Sequence, residues 1–304
     1  MGARLEEFSL RWNGYEDSFK GTDAGPEGGY STVIEALAKK ITSLGGEIKL
    51  GQQVTQITPP TDSGVEPVRI RTSANESEFS APIVICTIPL AILQKQHESI
   101  FSSALSAKKV AAIQETKVGQ LGKVVVSYEK AWWPEDIGAM TILPTAKNNV
   151  DDKDARSLLD SVSLVVASFA NKALSKPHPT LLAYLPAPVA VQLESMTSDQ
   201  VGDAIHSLFL DNLPRATDAD PGRPLVSRLT AWSSDPYSLG ATSTPPTGSV
   251  TPLNFVELGR PEYKGSILFA GEHTSLNNRG SVTGAVETGE KEGKRAVRLL
   301  NAKA

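Results

Sequence analysis

The chain has 304 residues, 40% of them hydrophobic and 21% charged, with a formal net charge of −4. This is an ordinary globular composition with enough chain for one large core or two average ones, and its acidic balance excludes the basic footprint of a nucleic-acid binder. Cys86 is the single cysteine, which excludes an intramolecular disulfide and a cysteine-built zinc site, and no apolar run approaches the roughly 20 residues of a membrane helix.

The first organised stretch runs from Gly28 to Gly46. Val33, Ile34, Leu37, Ala38, Ile41 and Leu44 recur at helical spacing and predict one apolar stripe. Thr32 and Glu35 have the spacing of a capping box, and Gly45–Gly46 supplies the stop. EIKL and QVTQIT read as short strands, closed by Pro59–Pro60. Val68, Ile70 and Thr72 alternate with Arg69 and Arg71, which predicts a strand with one buried face. Ile83 to Ile88 is apolar on both faces and β-branched, the pattern of a strand inside a parallel sheet, and Pro89 ends it.

Residues 104–116 read as a helix, and KVVVSYEKAWW reads as a strand running into an aromatic cluster. Residues 147–156 form a polar loop, SLVVASFA and LLAYLPAP further strands, and Ser198 to Leu213 an amphipathic helix. Residues 234–252 are rich in Ser, Pro, Thr and Gly and predict irregular chain. Ser266 to Ala270 is a short buried strand, followed at once by GEHTSLNNRG. From Ser281 onward, Val282, Ala285, Val286, Gly289, Gly293, Ala296, Val297 and Leu300 mark one face of a long helix. Its small start would let another backbone or a flat ligand approach closely.

A strand, Gly271, Glu272 and then a helix N-terminus can hold a nucleotide. Unpaired N–H groups and the positive end of the helix dipole attract phosphate or flavin oxygens, and Glu272 can accept from hydroxyls. The same Gly-Glu pair also serves as plain loop chemistry.

LFAGEHTSLNNRGSVTGAVETGEKEGKRA resembles the C-terminal flavin-binding motif of flavin-containing amine oxidases, among them polyamine oxidases, monoamine oxidases and lysine-specific histone demethylases. GGYSTVIEALA followed by IKLGQQVTQI resembles the family stretch that reaches the adenine of FAD. IVICTIPLAIL resembles the strand end beside the flavin, and VGQLGKVVVSYEKAWWPED the segment with the flavin-facing lysine. WSSDPYSLGATS resembles the segment near the substrate cavity, in the form seen in fungal polyamine oxidases and the related corticosteroid-binding protein. The matches span residues 28 to 304 in family order.

The resemblance implies residue roles. Lys123 matches the lysine that holds a water against flavin N5; in a dry pocket such a lysine positions water or a proton, whereas on an open strand it simply reaches solvent. Val54 matches the backbone contact to adenine. Thr87 and Pro89 match the strand end beside the flavin, Gly271 and Glu272 the ribityl and pyrophosphate contact, and Ser281 and Val282 the helix start. Trp232 matches a cavity-wall aromatic, with a core role equally open, and His273 reads as a capping or supporting residue. Thr242 and Ser281 stand where the family carries an aromatic amine cage, so Tyr237 and Trp232 are the candidates to replace it. Ala241 occupies the place of the cysteine that attaches flavin in monoamine oxidases, which implies non-covalent FAD.

No GxGxxG motif, the family's pyrophosphate loop, precedes Gly28. The expected fold is therefore α/β: an incomplete FAD-binding, Rossmann-like amine oxidase fold with an interleaved α+β substrate domain. Residues 28–94 and 260–304 would form the FAD-binding part, and residues 1–27 and 95–259 the substrate-binding part. A truncated form is the favoured expectation, with an inactive remnant or completion by a second chain as alternatives. Cofactor retention would then depend on the missing N-terminal segment.

The implied activity is oxidation of a polyamine C–N bond to an imine, with hydride passing to the flavin and oxygen reoxidising it to give hydrogen peroxide. The implied partners are a small amine and oxygen, with no nucleic acid, membrane or metal, in the cytoplasm. A non-catalytic, steroid-like ligand binder is the alternative, since a site without an aromatic cage would suit an apolar ligand.

Overall fold

The structure is a computed structural model. It describes residues 9–12, 14–16, 25–61, 66–74, 78–145, 150–216, 218, 220–244, 247–248 and 250–303.

Helix α1 (Tyr30–Ser43) begins at Gly29, whose φ of 82° suits only glycine. The expected capping box does not form, because the helix starts before Thr32, and Thr32 Oγ1 instead donates back to the Gly29 carbonyl at 2.8 Å. The apolar stripe is present, yet no residue of α1 is buried, and Leu44 is 78% exposed. Strands β1 (Val54–Thr58), β2 (Val68–Thr72) and β3 (Glu78–Ala81) form an antiparallel meander. The predicted EIKL strand is absent: the β1–β2 ladder begins at Val54 opposite Thr72, so residues 47–50 lie outside its paired register.

Strand β4 (Val84–Cys86) leads through Pro89 into α2 (Leu90–Ile100) and α3 (Ala107–Glu115). A short strand β5 (Val118–Gly119) follows. The sequence pattern marks a stop at Pro89 and gives no sign of α2, because the helix's apolar residues continue the strand's apolar run without a gap. Leu90, Leu93, His97 and Ile100 are buried at helical spacing, with proline in the position before the first turn.

The middle of the chain is a five-stranded antiparallel sheet in the order β10-β6-β9-β8-β7. Its strands are β6 (Gly122–Ser127), β7 (Ala139–Ile142), β8 (Leu164–Ser168), β9 (Thr180–Leu185) and β10 (Val226–Leu229). Val124, Val126, Leu181 and Ala183 point into a core shared with α4 (Ala155–Asp160), α5 (Ala187–Leu193) and α6 (Ser198–Asn212). Thr197 and Gln200 start α6 with a reciprocal capping box. The expected aromatic cluster is there, with Trp133 Nε1 donating to Ser168 Oγ at 2.8 Å. Period-two alternation puts Lys123 and Val125 on the opposite face, where Val165 and Tyr184 are partly exposed.

Strand β11 (Thr242–Ser243) pairs with β5, and α7 (Leu253–Leu258) leads to β12 (Ile267–Phe269), which runs parallel to β4. Among the described residues β4 pairs only with β12, so Ile85 is 36% exposed rather than enclosed on both faces. A second core joins Cys86, Leu93, Ile113, Phe255 and Phe269. The domain boundary expected between residues 94 and 95 therefore falls inside α2, and this core continues through α3 and resumes at α7.

The last helix, α8 (Val282–Lys303), buries a face other than the one expected. Gly284, Thr288 and Glu292 are buried, whereas Val282, Val286 and Val297 stand open. Polar anchoring decides the orientation: Thr288 Oγ1 accepts the Gly271 N–H at 3.1 Å and donates to the Gly284 carbonyl at 2.7 Å. No helix among the described residues is long and apolar enough to cross a membrane.

Candidate functional site

The turn after β12 supports the start of α8. Gly271 has φ 144°, open only to glycine, and a Cβ there would lie 2.7 Å from the His273 ring. His273 is buried, and burial pulls its pKa down to about 4 against the opposing charge of Glu272, so the ring is neutral at physiological pH. That agrees with a supporting role rather than acid–base work.

Glu272 is occupied by the protein itself. Oε1 accepts the Ser243 N–H at 3.1 Å, and Oε2 accepts Ser243 Oγ at 2.6 Å and the Gly280 N–H at 2.6 Å. Its carboxylate thus joins β11 to the approach of α8 through protein contacts alone. Ser281 accepts the Gly284 N–H at 3.0 Å and donates to the Asn278 carbonyl at 2.6 Å, which makes it the N-cap of α8. Thr242 lies against Gly280, where a Cβ would come within 2.6 Å of Thr242 Oγ1.

Three of the expected site residues meet elsewhere. Val54, Pro89 and Tyr237 line a cavity of about 460 Å³, with Ile88 and Ile92 among its apolar walls and Ser73 and Gln96 contributing polar groups. That size and lining suit one planar ring system with a few polar anchors. Thr87 and Val282 are exposed and outside its lining. Trp232 is 43% exposed, and Glu194 fixes the loop after it by accepting the Ser233 and Ser234 N–H groups at 3.2 and 3.0 Å.

Lys123 lies on the open face of β6, opposite Tyr184, with Nζ 5.6 Å from that ring. Its N–H donates to Thr230 Oγ1 at 2.8 Å, two residues before Trp232. The structure thus gathers most of the expected residues at the cavity, the start of α8 and the sheet face, and leaves Thr87 outside all three. Arg279, Ser243 and Glu194 carry no signal in the sequence, because hydrogen bonds between distant segments leave no periodic pattern. No group of metal-ligating side chains occurs among the described residues.

A family model described as flavin-containing amine oxidoreductase matches residues 7–297. Lysine-specific histone demethylase 1 homolog 3 of Arabidopsis thaliana is 29% identical over 98% of this chain and 17% of its own length. Polyamine oxidase 4 of Oryza sativa subsp. japonica is 28% identical over 95% of this chain and 52% of its own. A solved structure of a putrescine oxidase triple mutant with redesigned cofactor binding superposes with a TM-score of 0.66 at 18% identity. It covers 89% of this chain and 53% of that chain. The chain therefore spans about half the length of that rice polyamine oxidase and that solved chain, and the mixed helix-and-sheet fold is that of the amine oxidases.

The cofactor implied is FAD, held non-covalently. The one cysteine, Cys86, is buried, and burial raises its thiol to about 11, so it offers no attachment point. The chain belongs to the flavin-containing amine oxidoreductase family.

Proposed function

We propose that this chain is the cavity-bearing part of an FAD-dependent polyamine oxidase. The observation that carries the reading is the convergence of Val54, Pro89 and Tyr237, from three distant segments, on one ring-sized cavity. Val54 and Pro89 would border one ring system of the flavin cofactor there, and Gly271 with the start of α8 would support its polar chain. When bound, the flavin supplies a two-electron oxidation of the amine's C–N bond, with oxygen as the final acceptor and hydrogen peroxide as product.

The chain's own part is orientation. Lys123 stands on the open face of β6 beside Tyr184, and would hold a water there only once the bound flavin closes that face from solvent. Trp232 and Tyr237, both exposed, would present π-faces to the alkylammonium in place of rings at Thr242 and Ser281. A free di- or polyamine is the proposed substrate, on the strength of the polyamine oxidase relatives and the Asp235-Pro236-Tyr237 segment. In this reading the flavin-facing part comprises α1 to α3 with α7, β12 and α8, and the five-stranded sheet is the substrate-facing part.

The test joins residues 1–304 behind a strand–turn–helix unit carrying a glycine-rich loop, and supplies FAD. The expected result is a stoichiometric flavin spectrum and peroxide release on adding spermine or putrescine. Bound flavin with no peroxide from any di- or polyamine would overturn the oxidase reading. Failure of the folded fusion to take up flavin would overturn the cofactor site.

A further inference from the structure

One residue of β11 is gripped from both sides. The Ser243 N–H and Oγ both donate to Glu272, at 3.1 and 2.6 Å, while the Ser243 carbonyl accepts Arg279 Nη1 at 2.8 Å. Arg279 is the residue before Gly280, whose own N–H reaches Glu272 at 2.6 Å. The loop is therefore closed: Glu272 and Arg279 hold Ser243, and Glu272 holds the residue next to Arg279.

Arg279 is in turn fixed from the N-terminal side. Its Nε lies 2.6 Å from Glu16 Oε1, with the two side chains 12% and 30% exposed. Tyr15, next to Glu16, packs on the second core, and its hydroxyl is raised to about 12, chiefly by burial and further by Glu16. A guanidinium suits this task, because Nε faces the carboxylate while Nη1, held in the same plane, donates to the carbonyl. Three segments far apart in sequence thus meet at this point: Glu16, Ser243 of β11, and the stretch from Glu272 to Gly280, from which Glu272 and Arg279 both reach Ser243.

What the grip places is Thr242. Across β11 it pairs with Gly119, and its Oγ1 faces Gly280 so closely that a Cβ there would lie 2.6 Å away. We propose that Arg279, locked by Glu16, is a positioning residue that sets Thr242 against the start of α8 and so shapes the wall of the amine site. The inference deepens the proposed function and rests on it for the word amine; the positioning itself stands on the hydrogen bonds to Ser243 and on the Arg279–Glu16 ion pair.

The test uses the chemistry of the one native cysteine. Cys86 is buried and its thiol is raised to about 11, so a Thr242→Cys variant presents one reactive thiol. In that background Arg279→Ala is expected to speed labelling of residue 242 by tenfold or more, with Cys86 still unlabelled. Arg279→Lys, which keeps the charge opposite Glu16, is expected to recover most of the protection, and Glu16→Gln to lose part of it.

Unchanged labelling at residue 242 in Arg279→Ala overturns the proposal. So does a parallel rise at Cys86, because general loosening of the fold would expose both thiols. In the FAD-loaded fusion without the cysteine, Arg279→Ala is expected to raise KM for the amine several-fold with kcat within about twofold. If that parent shows no amine turnover, the oxidase reading falls while the labelling result still decides the role of Arg279.

Discussion

The ammonium of Lys109 lies 4.1 Å from the centroid of the Phe269 ring, so strand β12 rests against a buried cation. The same Nζ donates to the carbonyls of Glu257, Leu258 and Arg260 at 2.7, 2.6 and 2.7 Å, at and just after the end of α7. Lys109 comes from α3, and through these contacts it ties α7 to the strand that delivers Gly271 and Glu272.

Lys109→Met keeps the aliphatic stem but leaves three carbonyls without this donor, and is expected to cost about 2–4 kcal/mol of folding stability. Urea denaturation followed by circular dichroism at neutral pH measures it. A loss under half a kilocalorie would show that water replaces the ammonium.

Lys109 also imposes a pH dependence. Burial pulls its pKa down to about 8, against the raising influence of Glu262 and Glu257. The unfolded chain has its lysines near 10.4, so between these values the unfolded state binds more protons and stability rises with pH. The expected rise is roughly 2–3 kcal/mol from pH 8 to pH 10.5, measured as the difference between the parent and Lys109→Met. A flat difference curve would place the folded pKa near the unfolded one.

His273 works in the acid range with the same sign. Burial lowers its pKa to about 4, so below about pH 6.5 the unfolded chain takes up a proton that the folded chain refuses. Stability conferred by the neutral ring is expected to fall by about 2–3 kcal/mol as pH drops from 6.5 to 4. His273→Gln should flatten that part of the stability profile, whatever it does to stability at neutral pH. A parallel profile in the variant would show that the ring protonates in the folded protein.

Gly271→Ala is expected to destabilise by about 2–4 kcal/mol, since it adds backbone strain to a contact 2.7 Å from the His273 ring. Thermal unfolding measures this. In the FAD-loaded fusion the same variant is expected to weaken flavin retention, followed by ultrafiltration and the visible spectrum. Full stability would mean that the turn can refold without the φ of 144°.

Lys123→Met in the FAD-loaded fusion is expected to slow flavin reduction or reoxidation by tenfold or more while leaving flavin content unchanged. Stopped-flow measurement separates anaerobic reduction by amine from reoxidation by oxygen. Unchanged rates in both would leave Lys123 as a strand residue that simply reaches solvent.

Local pattern determined the elements that depend on local chemistry. α1, α6, α8, the strands β6, β8 and β9 and β12 are legible in the sequence, because periodicity and glycine stops act within a few residues, whereas β7 and β10 are not among the strands that the sequence pattern marks. The family motifs likewise mark Val54, Pro89 and Tyr237, three residues far apart in the chain that meet at one cavity. Burial was decided by tertiary structure. The stripes on α1 and on Val282, Val286 and Val297 of α8 have the pattern of packed faces yet stand open, because a pattern says which side is apolar and not whether anything covers it. The protein contacts of Glu272 were also decided in three dimensions. The Glu272 carboxylate holds Ser243, some thirty residues away, and a hydrogen bond across that separation leaves no trace in spacing, while Ser281 caps α8 locally through Gly284. Arg279 is invisible in the sequence for the same reason: its partners, Glu16 and Ser243, approach only when α8, β11 and the N-terminal segment are brought to one point.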